Sequence, residues 1–152
     1  CEAFLLRREV WGVDHVYTLR SAAQAADSYP LDEPAHHPYD KGLLEEMAET
    51  CRCDECDLSA AILYSTLALL NREIGCHSGK YFSMADISYS SAFEEADNYF
   101  MVRFVAFRWA ILLMRWGDWL PAEGHPTMYA RAKDIVEKHF PDGEMHATYV
   151  QL

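Results

Sequence analysis

Residues 91–120 read SAFEEADNYFMVRFVAFRWAILLMRWGDWL. At its start, Ser91 and Glu94 have the S-x-x-E form of a capping box, in which the serine accepts from a first-turn amide and the glutamate returns to the serine N–H, so a helix is predicted to begin there. At its end, Pro121 forces its predecessor out of the α region and predicts the stop. From Phe100 to Trp116 apolar side chains occupy nearly the whole circumference, and a helix of that kind is central or is shared with another subunit. Arg103, Arg108, Arg115 and Asp118 interrupt the run, so it is not a membrane span. The expected fold is therefore all-α: a compact bundle of four to five helices around a long central apolar helix at about 91–120, in one domain over residues 1–152. So few helices rarely cover a central helix on every side, which predicts a homo-oligomer, most simply a twofold dimer.

Outward from that helix the chain reads as shorter helices and polar breaks. Leu6, Val10, Val13 and Tyr17 recur at helical spacing and predict a helix from about Glu2 to Ala26. Gly12 and the β-branched Val13, Val16 and Thr18 oppose it, with a short β element near 13–19 as the alternative. Pro30, Pro34 and Pro38 make Asp27–Tyr39 an extended loop. Helices are expected at about Asp40–Thr50 and at Leu58–Ile74, the latter closed by Gly75, with a polar connector over Cys76–Ser90. Pro126 in the first turn, Lys133, Lys138 and His139 late in the segment and Pro141 beyond predict a last helix over Pro126–Phe140. The tail from Glu144 is expected to be extended.

Composition limits the partners. There are 24 acidic and 13 basic residues in 152, a formal charge of -11. Such a field repels phosphate backbones and anionic lipid, which disfavours direct nucleic-acid binding and membrane-surface binding. The opening residues lack the basic-then-apolar order of a secretory signal. Five cysteines, an odd count with Cys51, Cys53 and Cys56 clustered, make a poor disulfide framework and favour a reducing cytoplasm.

Three constellations bear on chemistry. Cys51, Cys53 and Cys56, with Cys76 and His77, contain the ligand types of a tetrahedral zinc site, but the spacing lacks two pairs on tight turns and no zinc is expected. The acids of Glu45–Asp57 raise thiol pKa values, which opposes a reactive cysteine. Carboxylates form the second constellation: Glu45, Glu46 and Glu49 stand as E-E-x-x-E on one predicted helix, and Glu94 and Asp97 as E-x-x-D at the start of another. If the two helices packed side by side, these oxygens would suit Mg²⁺. The pattern over Gly42–Arg52 and Phe93–Ala106 resembles that of all-α nucleoside triphosphate pyrophosphohydrolases of the MazG and dimeric dUTPase kind. That resemblance implies magnesium held by the five carboxylates for attack on a nucleotide phosphate, although here the whole helix Leu58–Ile74 separates motifs that the family places closer together. The third is aromatic: Phe107, Trp109, Trp116 and Trp119 can line a small-ligand cavity or fill a core. No E-x-x-H pair on a helix, P-loop, G-x-S-x-G or Rossmann glycine set is present. The leading expectation is a non-enzymatic interaction or regulatory protein without a cofactor. It would present the acidic face Glu45, Glu46, Glu49, Asp54, Glu55 and Asp57 to a basic partner.

Overall fold

The computed structural model describes residues 2–12, 18, 21, 23, 41–53, 56–71 and 78–141. Among them lie six helices and no strand: α1 (Glu2–Trp11), α2 (Lys41–Cys53), α3 (Asp57–Leu70), α4 (Ser78–Glu95), α5 (Tyr99–Trp119) and α6 (His125–His139). The fold is all-α. Two compact units make up the chain, residues 1–88 and 89–152, and the division falls inside α4.

In the first unit α1 ends at Trp11 rather than continuing toward Ala26, because Gly12 takes φ 84°, a left-handed conformation that ends a helix. Thr18, Ser21 and Ala23 are helical and buried, and the Arg7 guanidinium donates to the Ser21 hydroxyl. The remaining positions of the β alternative near 13–19 and the proline-rich segment 27–39 lie outside the described residues. Helix α2 packs on α3. Leu44, Met47, Ala48 and Cys51 form the buried stripe of α2 at spacings of three and four. Helix α3 is buried over almost its full circumference from Ala60 to Leu70. Ser65, Thr66 and Asn71 solve their polarity locally, each side chain donating to a carbonyl four residues back.

Two expectations are corrected around α4. Residues 78–90, read as part of a polar connector, are helical, with Tyr81, Phe82, Ala85, Tyr89 and Ala92 buried on one stripe. The serines between them mask that periodicity. Ser91 and Glu94 then lie near the C-terminal end of α4 and start no helix. The long helix expected over 91–120 is thus divided. A break at Ala96–Asn98 precedes α5, whose cap is Asn98 in extended geometry, its side chain accepting from the Met101 amide at 2.9 Å.

The second unit is built on the antiparallel pair α5 and α6. Ala110, Leu113 and Ala132 are its buried centre, with Phe107, Trp109, Met114, Trp116, Met128, Ile135, Val136 and Phe140 packed around them. Gly117 lets the helices close: a Cβ there would come within 2.8 Å of the Tyr129 ring. The turn is fixed by the bond between the His125 ring and the Leu120 carbonyl and by the Tyr129 hydroxyl donating to Asp118. Helix α6 begins one residue before Pro126, as the proline placement predicts.

Candidate functional site

The carboxylates on the acidic face of α2 are the best-defined polar groups of the first unit. Glu45 and Glu46 share one turn and Glu49 follows on the next, and each is oriented differently. Glu49 is held from both sides: the buried Tyr64 of α3 donates to Oε1 at 2.6 Å, and Arg52 donates to Oε2 at 2.9 Å. The Tyr64 hydrogen bond and Arg52 hold the Glu49 carboxyl below its ordinary pKa. Burial and Glu49 push the Tyr64 hydroxyl up. Glu45 reaches Lys80 of α4 at 3.4 Å, while burial and Glu45 raise the pKa of the adjacent Tyr81. The rings of Tyr64 and Tyr81 stack at 6.5 Å. Glu46 points to solvent. Asp57 is half-buried in the first turn of α3, where a carboxylate favours the helix dipole, and Asp54 and Glu55 lie outside the described residues.

Glu94 and Asp97 belong to the second unit. Glu94 is exposed on the last turn of α4, and Asp97, also exposed, accepts from the Asn98 side chain at 3.1 Å. Among the described residues no group of three or more His, Cys, Asp and Glu side chains is placed to hold a metal ion. Of the zinc set, Cys51 is buried and Cys56 half-buried, both as thiols. The side chain of Cys53 and residues Cys76 and His77 lie outside the described residues. Trp109, Trp116 and Phe107 pack against the centre of the second unit. Trp119 is half-buried.

One feature was not anticipated. The first turns of α5 expose three aromatic rings: Tyr99 is 74% exposed, Phe100 73% and Phe104 37%. Phe100 and Phe104 stack at 6.4 Å with 16° between planes, and the Arg108 guanidinium lies 5.7 Å from the Phe104 ring. Arg103 sits over both Tyr99 and Phe140, at 5.2 and 4.8 Å, and donates to the Tyr99 hydroxyl at 2.8 Å. The detectable signal was Asp97-Asn98 ahead of Tyr99-Phe100, a cap followed by rings in the first turn, where few helical neighbours exist to cover them.

The chain matches no protein-family model, no curated protein and no solved structure. No helix among the described residues is long and apolar enough to cross a membrane.

Proposed function

We propose that this is a non-enzymatic, acidic interaction protein of the cytoplasm, a homo-oligomer that presents the α2 face to a basic partner. The observation that carries this reading is the state of the α2 carboxylates. Glu49 is held by Tyr64 and Arg52 and Glu45 pairs with Lys80 at 3.4 Å, yet the side chains of Glu45 and Glu49 keep 40% and 42% of their exposure. Carboxylates held in place but still wet lose less side-chain entropy when a partner's cation arrives. With the field of the whole chain at -11, they steer such a partner in.

The test is titration with a lysine- and arginine-rich peptide, followed by fluorescence anisotropy at low and physiological salt. The triple variant Glu45→Gln, Glu46→Gln, Glu49→Gln should lose about tenfold in affinity. The control Glu123→Gln, Asp134→Asn, Glu137→Gln, which changes net charge equally on exposed α6 and its approach, should lose far less. Equal losses would reduce the effect to overall charge and contradict the proposal. Magnesium-dependent hydrolysis of a nucleoside triphosphate, abolished by the α2 variant, would replace it with the hydrolase reading.

A further inference from the structure

Helix α2 ends with the chain folded back on itself between two cysteines. Its last residue is Cys53, and the amide of Cys56 donates back to the carbonyl of Cys51 at 2.8 Å. That bond has the 6→1 form of a Schellman helix end, in which the side chain third from the end of the helix and the one third beyond it commonly touch. At α2 those two side chains are Cys51 and Cys56. The same bond bounds their separation. With about 2.4 Å from Cα to O across the Cys51 carbonyl and about 1.46 Å from N to Cα in Cys56, an N···O distance of 2.8 Å keeps the two Cα atoms within about 6.7 Å of each other. A disulfide spans Cα atoms about 4.4–6.8 Å apart.

The two sulfurs differ in access: Cys51 is buried on the stripe of α2, and Cys56 is half-buried at the N-cap of α3. We propose that Cys51 and Cys56 are a redox-responsive pair, which hydrogen peroxide closes into an intramolecular disulfide across the junction of α2 and α3. In the first step the peroxide oxidises the more accessible Cys56 thiol to a sulfenic acid and is itself reduced to water. In the second the Cys51 sulfur attacks the Cys56 sulfur: the S–S bond forms, the S–OH bond breaks, and the hydroxide leaves with the Cys51 proton as a second water. Small-molecule thiols reverse the closure by exchange, so the bridge is of the transient kind that a reducing compartment permits. The expectation that neighbouring acids oppose a reactive cysteine bears on the rate of the first step, whereas the helix end decides which sulfur completes the second. The inference is independent of the basic partner proposed for the α2 face.

The test treats the whole chain with millimolar hydrogen peroxide, alkylates the remaining thiols, digests with trypsin without reduction and reads the peptides by mass spectrometry. Cleavage after Arg52 separates Cys51 from Cys53 and Cys56, so the bridge appears as the peptide ending at Arg52 joined to the one starting at Cys53. Cys53→Ser should keep that link and Cys56→Ser should lose it. In Cys53→Ser only Cys56 is left in the second peptide, so that variant decides the matter even if Cys56→Ser fails to fold. Because the helix end already holds the two residues together, the bridged Cys53→Ser protein should melt several degrees above its reduced form, and dithiothreitol should remove the difference. A link that disappears with Cys53, bridges formed only between chains, or oxidation to sulfinic acid without a bridge would overturn the inference. A bridged protein that melts below its reduced form would overturn it too, since the sulfurs would then have been forced together.

Discussion

Tyr64 is the residue on which the acidic face turns. Its hydroxyl is buried and gives its hydrogen bond to a charged acceptor, Glu49, 15 residues earlier in the chain. Tyr64→Phe should destabilise the protein by about 1.5–3 kcal/mol, read as a lower urea midpoint at unchanged slope. Because Glu49 has its pKa lowered on folding, its contribution is present above the ordinary carboxylate range and is lost as pH falls through the lowered value. His139 acts in the same direction at milder pH. Burial and Lys138 lower its pKa where it packs edge-on to Phe93 at 5.1 Å, so protonation favours the unfolded chain as pH falls below about 6.5. The melting temperature should therefore fall between pH 7 and 5, by less in His139→Phe. In an open helix Gly→Ala gains about 1 kcal/mol, but at position 117 the methyl meets a Tyr129 ring tethered to Asp118, and Gly117→Ala should instead destabilise. With Tyr129→Ala already in place, the same substitution should stabilise. The spacing of Glu45, Glu46 and Glu49 made their shared helix evident from sequence. Their partners were hidden, because Tyr64 and Lys80 lie on other helices and no local pattern announces such a contact.

Helix boundaries follow from which polar side chain captures the orphan amides. Asn98 wins over Ser91 at the head of α5 because α4 has already begun at Ser78, leaving Ser91 inside a helix whose amides are satisfied. Asn98→Ala should cost about 1 kcal/mol in thermal or urea unfolding, and Ser91→Ala should cost almost nothing. The opposite ranking would restore one continuous helix from 91. The same competition explains what could be read at this scale. Helix α6 announced itself through Pro126 and its late lysines, and α3 through its apolar density. Helix α4 did not, because Ser83, Ser88, Ser90 and Ser91 dilute a stripe whose apolar members are nonetheless at helical intervals. Gly12 was visible as an opposing residue, but whether a glycine is tolerated in a helix or ends it depends on the φ it takes.

The fold is all-α, in keeping with the three-and-four spacing of apolar residues along the chain. The division between its two compact units, by contrast, passes through a helix, so no glycine- or proline-rich linker marks it. Under the proposed function the chain acts as an adaptor that steers a basic partner by charge. The carboxylate set that resembles a magnesium site is the feature that separates this account from a hydrolase. A Mg²⁺ site of ~0.1 mM affinity would add about 1–2 kcal/mol at millimolar metal, a shift of several degrees for a chain of this size. The decisive measurement is the melting temperature in millimolar Mg²⁺ against monovalent salt at matched ionic strength. The account predicts no difference between the two. A magnesium-specific rise that Glu49→Gln and Asp97→Asn each abolish would contradict it.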